Sequence, residues 1–333
     1  MPKLTNSITD VPGIKVGHAQ DLDAITGCTV ILAEDGVIAG VDQRGGGPAT
    51  RETDALNPIN LINQVHAVML SGGSAFGLDA SSGVMQYLKE RKIGYNTGIA
   101  KIPIVPAASL FDLGIGDPNI YPDFEMGYQA SKNASENNDI QGNVGAGTGA
   151  TTGKLLGPRQ ATKSGIGTAI LEIGGGVIVG ALVAANPLGD IIHPETNTIL
   201  AGTRSIQKGP LKIGGDKIFA DSLELMKGLV GKTIMGLASR SNTVIGVVAT
   251  NAKLTKPQAT QMAQMAQNGV VRTVRPANTL LDGDTIFVMA TGSKKADVNI
   301  LGAFAAQLIS NAILNAVMSA ISIGGIPSLN DLQ

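Results

Sequence analysis

The stretch that most constrains the fold of this chain is the apolar run formed by residues 166–186. Its 21 residues carry a single charge, on Glu172, so by length alone the run could cross a bilayer. Three consecutive glycines, at positions 174–176, divide it into two halves rich in β-branched residues, 168–173 and 177–183. This pattern predicts a buried antiparallel hairpin, and we therefore expect no membrane partner.

A second apolar run, residues 301–323, has the period of a helix. Its polar side chains recur every four residues, at Gln307, Asn311, Asn315 and Ser319, which predicts a mostly buried helix with one polar stripe. Only 15% of the chain is charged and 43% is hydrophobic, so composition excludes a disordered protein. The apolar residues are sufficient for the core of one large layered domain.

The remaining pattern alternates short apolar runs with amphipathic segments. Strands are predicted over 28–32, 67–70, 244–249 and 285–289, helices over 74–91 and 256–268, and a long loop over 110–141. The second helix is predicted to end at Gly269. No linker or repeat divides the chain, so we expect a single domain over 1–333 with an α/β fold, in which helix layers cover the sheets.

Several classes of partner and cofactor are disfavoured by composition. The net charge is −1, and the ten aromatic residues include no Trp, so the basic and stacking surfaces of a nucleic-acid binder are missing. A single cysteine, Cys28, and three scattered histidines predict no metal site. The amino-terminal residues contain no apolar signal core, which predicts a cytoplasmic protein.

A glycine-rich segment, residues 145–150, formally fits the G-x-G-x-x-G/A spacing of dinucleotide-binding folds. The context disagrees, because residues 139–143 do not read as a buried strand. Residues 151–164 contain two glycines and Pro158 where the following helix should run. We therefore expect no nucleotide and no other cofactor.

The most specific signal is a set of seven segments spread over the whole chain. They are NSITDVPGIKVGH at 6–18, TGCTV at 26–30, DQRGGGPATRETD at 42–54, LSGGSAFGL at 70–78, GNVGAGTGATTGK at 142–154, VAANP at 183–187 and SNT at 241–243. In this order they resemble the DmpA-like (P1 family) aminopeptidases and amidases. These are self-processing hydrolases with an N-terminal nucleophile, and they include the nylon-oligomer hydrolases.

The resemblance implies a fold and a nucleophile. The fold is an αββα four-layer sandwich of the N-terminal-nucleophile-hydrolase type. The chain is expected to cut its own peptide bond between Asn242 and Thr243, which gives an α chain of residues 1–242 and a β chain of residues 243–333. The freed α-amine of Thr243, with an ordinary pKa near ~7.7, would then serve as base for its own hydroxyl.

The resemblance also assigns roles to residues far from the nucleophile in sequence. Asn186 would donate to the oxyanion, although an Asn-Pro pair is also a common turn. Lys154 would be a buried cation near the nucleophile, the alternative being a solvated loop lysine. Asp282 and Asp284 would orient the nucleophile and polarise its amine, or form a hairpin turn. Phe111 is assigned to the substrate pocket, where nylon-oligomer hydrolases have Tyr.

These features together predict an amide-bond hydrolase that acts on a small peptide or amide through an acyl-enzyme. We expect homo-oligomers of αβ units and no metal. Two alternatives remain open at this point. One is an acyltransferase of the ornithine acetyltransferase type, which passes the acyl group to an amine. The other is an unprocessed, non-catalytic binding protein.

Overall fold

The computed structural model describes residues 4–207, 212–227 and 242–332. Ser241, which belongs to the last of the seven segments, lies outside them. The strands are β1 Lys15–Asp21, β2 Thr26–Gln43, β3 Ala49–Arg51, β4 Val65–Ser71, β5 Tyr95–Asn96, β6 Lys101–Ile102, β7 Ala107–Ser109, β8 Thr151–Thr152, β9 Thr162–Lys163, β10 Ile166–Glu172, β11 Ile178–Asn186, β12 Asp190–Ile192, β13 Ile199–Ala201, β14 Thr243–Ala252, β15 Val274–Arg275 and β16 Thr285–Lys294. The helices are α1 Ala80–Glu90, α2 Phe124–Lys132, α3 Ser222–Lys227, α4 Lys256–Thr273 and α5 Val298–Met318.

One long strand, β2, connects two sheet layers. The hydrogen-bonded order is β10-β11-β14-β16-β2-β4-β7-β3, and β1 also pairs with β2. The first half of β2 pairs with β4 through residues 28–32, while its second half pairs with β16 through residues 38–43. The register of β2 against β4 shifts between Leu32 and Val37, which lets the strand pass from one layer to the other.

Three hydrophobic cores lie between four layers. The core between the two sheets contains residues of β2, β4 and β7 together with residues of β11, β14 and β16. Helices α4 and α5 cover the outer face of β11, β14 and β16, and α1 and α2 cover the outer face of β2 and β4. This arrangement confirms the αββα sandwich.

Strand β14 shows why the central strands are apolar along their whole length. Its alternate side chains point to opposite faces, so Val244 and Val248 pack under the helices, while Ile245 and Val247 enter the core between the sheets. Both faces are buried, which explains a continuous Val/Ile run. By the same alternation, Thr243 lies on the face directed between the sheets.

The two apolar runs fold as their patterns predict. Strands β10 and β11 form the antiparallel hairpin, with the glycines in the turn between them. Helix α5 is long and apolar enough to span a membrane, but it packs on the sheet with most of its surface buried, and Gln307 and Asn311 are on its exposed side. The interpretation as a buried hairpin and a core helix is therefore confirmed.

Two predicted boundaries are wrong. Helix α4 continues past Gly269 to Thr273. A Cβ on Gly269 would lie 2.2 Å from the carbonyl oxygen of Ala306, so this glycine permits α4 and α5 to pack closely and does not end a helix. The predicted loop over 110–141 contains helix α2, which begins after Asp123, whose carboxylate accepts a hydrogen bond from the Met126 N–H at 2.9 Å.

The predicted helix over 74–91 lies where it was expected, but only part of it is α-helical. Its first six residues, Ser74–Asp79, form a 3-10 helix, and the α-helix begins at Ala80. Ser74 itself has a φ of +55°, which a side chain rarely adopts. The glycine before it also has a positive φ, so the turn between β4 and α1 is too tight for an immediate α-helical start.

Candidate active site

The site lies where β11 ends and β14 begins. Asn186, the last residue of β11, is the direct cross-strand partner of Thr243, the first residue of β14. Directly opposed residues of an antiparallel pair bring their side chains within about 5 Å of each other. Both side chains are buried, with 0% of Asn186 and 5% of Thr243 exposed. The hairpin and the following strand thus bring together two of the residues predicted from the sequence.

The peptide bond before Thr243 is held by two hydrogen-bond donors. The Thr243 hydroxyl donates to the carbonyl oxygen of Asn242. The N–H of Gly283 donates to the same oxygen at 3.1 Å, in a short parallel pairing that extends β14 and β16. A hydroxyl beside its own preceding carbonyl is the arrangement that an internal acyl shift from nitrogen to oxygen requires.

Both the oxygen and the nitrogen of the Asn186 side-chain amide are held by hydrogen bonds. Its Oδ1 accepts hydrogen bonds from Lys154 Nζ at 2.8 Å and from Thr151 N at 3.0 Å. These two donors set the orientation of the amide, so Nδ2 is directed the other way and donates to the Phe111 carbonyl at 3.0 Å. Asn186 is therefore a strand residue with an oriented amide, and the turn alternative is wrong.

Lys154 is buried beside the amide and is not a solvated loop residue. Besides Oδ1, its ammonium donates to the backbone carbonyl of Asn186 at 2.7 Å. Burial lowers the pKa of Lys154 from 10.5 to about 7, although the nearby carboxylates of Asp282, Asp112 and Asp284 act in the opposite direction. At neutral pH the amine is thus close to the point where it can both accept and release a proton.

The two aspartates that precede β16 are buried and bound mainly to backbone. Asp282 Oδ2 accepts from Thr279 N at 2.8 Å and from Thr279 Oγ1 at 2.6 Å. Asp284 Oδ1 accepts from Val244 N at 2.7 Å, and its Oδ2 accepts from Asn278 N at 3.1 Å. Asp284 is therefore hydrogen-bonded to the backbone of Val244, the residue that follows Thr243. Residues 282–284 run beside Asn242 rather than forming a hairpin turn between paired strands.

Electrostatics push both carboxyl groups toward the neutral form. Burial raises the pKa of Asp282 above its usual value. Burial also raises the pKa of Asp284, and the neighbouring charge of Asp282 raises it further. The positive charge of Lys154 acts against both shifts.

Sequence reasoning missed two buried ionisable residues next to this set. Asp112 accepts from Gly73 N at 2.7 Å and from Thr26 Oγ1 at 2.8 Å, and burial raises its pKa to about 6. Lys163 is fully buried, and its ammonium donates to three backbone carbonyls, including that of Ala150 at 2.8 Å. The one sequence signal for Asp112 is its position directly after Phe111. No sequence pattern marks Lys163, whose ammonium donates to backbone carbonyls.

A small cavity opens beside Lys154. Its volume is about 60 Å³, and Phe111, Asp112 and Thr151 line it together with the lysine. Phe111 thus lines this cavity, and its backbone carbonyl accepts the hydrogen bond from Asn186. In the described part of the chain, no group of three or more His, Cys, Asp or Glu side chains is placed to hold a metal ion.

Comparison with known proteins shows which family the chain belongs to. A family model for peptidase family S58, the DmpA family, matches residues 6–329. The chain belongs to this family. An uncharacterized aminopeptidase of Mycobacterium leprae is 39% identical, over 97% of this chain and 93% of that protein. A 6-aminohexanoate-oligomer endohydrolase of an Agromyces species is 30% identical, over 92% of this chain and 84% of that protein.

Solved structures share the fold of this S58 chain. The L-aminopeptidase D-Ala-esterase/amidase of Ochrobactrum anthropi superposes with a TM-score of 0.70 at 21% identity, over 97% of this chain and 88% of that one. A β-aminopeptidase of a Burkholderia species gives 0.69 at 22% identity, over 100% and 93%. The resemblance noted in the sequence is thus confirmed, and the protein is a hydrolase of the aminopeptidase and amidase class.

Proposed function

We propose that this S58 hydrolase uses Thr243 as a nucleophile, which it exposes by cutting its own Asn242–Thr243 bond. The observation that carries the proposal is the Thr243 hydroxyl directed at the Asn242 carbonyl, inside a buried site that holds one amine and two carboxyl groups. A structural threonine at the start of a strand would not need such a neighbourhood. Perturbed titratable groups gathered around a hydroxyl are typical of catalytic sites.

Self-cleavage needs a base other than an α-amine, because the nitrogen of Thr243 is still an amide before the cut. Lys154, with a pKa of about 7, is partly neutral near neutral pH and can accept a proton. Asp284 is bound to Val244 N, one residue from the nucleophile. We propose these two groups as the candidate proton acceptors for the processing step.

Turnover of substrate then uses the freed amine. In its neutral form this amine accepts the hydroxyl proton, and the hydroxyl oxygen attacks the substrate carbonyl to form an acyl-enzyme that water resolves. Asn186 is the proposed donor to the oxyanion, since Lys154 and Thr151 hold its amide in one orientation. Buried Lys154 disfavours a second positive charge and lowers the pKa of the amine, while the aspartates act in the other direction.

We propose a small amide or an amino-terminal peptide as substrate. The names of the S58 relatives support both, and identity is higher to the mycobacterial aminopeptidase than to the oligomer endohydrolase. The cavity beside Lys154 is only about 60 Å³ and has Phe111 in its wall, which favours a compact, partly apolar acyl group.

The test is amino-terminal sequencing and intact mass of the purified protein. Two fragments are expected, and the smaller one should begin Thr-Val-Ile-Gly. Thr243→Ala should remain one chain with no amidase activity, and Thr243→Ser should restore cleavage. Two fragments from Thr243→Ala would overturn the assignment. Adding amine acceptors to the assay separates a hydrolase from an acyltransferase, because only the latter gives a new amide in preference to the free acid.

A further inference from the structure

The carbonyl that self-cleavage must polarise already has a backbone donor. Gly283 N–H lies 3.1 Å from the Asn242 oxygen. Effective oxyanion donors lie about 2.7–3.1 Å from the position of the negative oxygen. When the Thr243 hydroxyl attacks, the charge develops on this same oxygen, so the Gly283 N–H is directed at it from the start.

A glycine-rich segment that the proposed mechanism does not use holds Gly283 in place. A Cβ on Gly283 would lie 2.6 Å from the carbonyl oxygen of Gly47 and 2.8 Å from Cα of Pro48, so only glycine fits there. The N–H of Gly47 donates to the Asp282 carbonyl at 2.9 Å. Gly45 has a φ of +89°, and a Cβ on it would lie 2.3 Å from that same carbonyl oxygen. Residues 45–48 therefore form a closely packed support behind residues 282–283.

The donor proposed for substrate turnover is directed elsewhere in the uncleaved chain. Nδ2 of Asn186 donates to the Phe111 carbonyl at 3.0 Å, across the strand from Thr243. Among the described residues, the hydrogen bonds to the Asn242 oxygen come from Gly283 and Thr243. In the uncleaved chain the Gly283 N–H and the Asn186 amide thus donate to different carbonyl groups.

We propose that self-cleavage and substrate turnover use separate oxyanion donors, the Gly283 N–H for the first and the Asn186 amide for the second. This inference rests on the proposed role of Thr243. In the first step the Thr243 oxygen bonds to the Asn242 carbonyl carbon and passes its proton to a buried base. The bond from that carbon to the Thr243 nitrogen then breaks, and the nitrogen takes up a proton. Water hydrolyses the resulting ester to the Asn242 carboxylate and the free hydroxyl.

The experiment measures two rates for each full-length variant: conversion of freshly synthesised chain into fragments, and amide turnover per cleaved molecule. Gly283→Ala should slow conversion by about 10²-fold, as expected for a displaced oxyanion donor, and should affect turnover less. Asn186→Ala should do the reverse, so the ratio of the two rates moves in opposite directions in the two variants. A general folding defect would lower both rates together.

Matched glycine variants keep the test decisive if Gly283→Ala folds poorly. In Gly45→Ala the added Cβ would collide with the Asp282 carbonyl oxygen and displace residues 282–283, so conversion should slow by about tenfold or more. Gly47→Ala is the control, because its Cβ would meet nothing closer than 3.8 Å and its N–H is retained. Equal conversion rates for Gly283→Ala, Gly45→Ala and Gly47→Ala would overturn the inference. So would an Asn186→Ala chain whose conversion falls more than its turnover. Neither of these results would contradict the proposal that Thr243 is the nucleophile. Cleavage of the Thr243→Ala chain would contradict that proposal.

Discussion

Replacing Lys154 by Met should change how the stability of the fold depends on pH. Burial lowers the pKa of the Lys154 ammonium from 10.5 to about 7, so between these values the unfolded chain binds a proton that the folded chain lacks. This difference lowers the free energy of unfolding by its full amount below about pH 7, and the loss disappears as the pH rises toward 10.5. With these two values, the wild-type free energy of unfolding should gain about 2.5 kcal/mol relative to Lys154→Met between pH 8 and pH 10.

The measurement is urea unfolding at pH 8, 9 and 10, with both proteins in a Thr243→Ala background that we expect to keep them uncleaved. Lys154→Met also loses the hydrogen bonds to Asn186. This loss lowers its free energy of unfolding by the same amount at each pH, so it does not change how the difference between the two proteins depends on pH. Lys15→Met is the control, because the ion pair of Lys15 with Glu34 at 2.7 Å raises the pKa of the lysine, and the difference should stay flat. A flat difference for Lys154→Met as well would show that its ammonium has an ordinary pKa and is not desolvated.

Three further predictions concern turnover, its pH dependence and helix packing. Asn186→Ala should lower kcat of the cleaved enzyme by about 10²–10³, because one oxyanion donor is lost; an unchanged kcat would exclude that role. The acidic limb of kcat/KM against pH should follow the Thr243 amine, so Lys154→Met should move it to higher pH and Asp284→Asn to lower pH. A limb that stays fixed in both would assign the base to another group. Gly269→Ala should cost about 1–3 kcal/mol in urea unfolding, since α5 leaves no room for a Cβ; full stability would contradict that contact.

The parts of the fold that could be predicted are those in which local pattern and burial agree. The hairpin of β10 and β11 has three glycines at its turn, and β11 is buried along almost its whole length, while β10 is buried in its first half. Helix α5 has a polar stripe, of which Gln307, Asn311 and Ser319 are exposed. The order of the four layers did not follow from these patterns. It came from the family resemblance, because the passage of β2 between layers depends on the two halves of one strand pairing with different neighbours.

The predicted site residues meet at one place, but the reasons lie in tertiary contacts. Asn186 and Thr243 are neighbours because β11 and β14 pair at that register, a fact that neither strand encodes alone. Asp112 and Lys163 were missed because their partners are a hydroxyl and backbone groups brought in from other segments. Gly269 was misinterpreted because a glycine that ends a helix and one that admits a neighbouring helix look the same in sequence.

The central claim is that one residue, Thr243, both cuts the chain and carries the acyl group. The most direct test is mass spectrometry of the cleaved protein shortly after mixing with an activated ester of a small amino acid. The fragment of residues 243–333 should gain the mass of one acyl group, and fragmentation should place that group on the side chain of its first residue. An acyl group on any other residue, or turnover that leaves this fragment unmodified at every time point while the ester is consumed, would contradict the account.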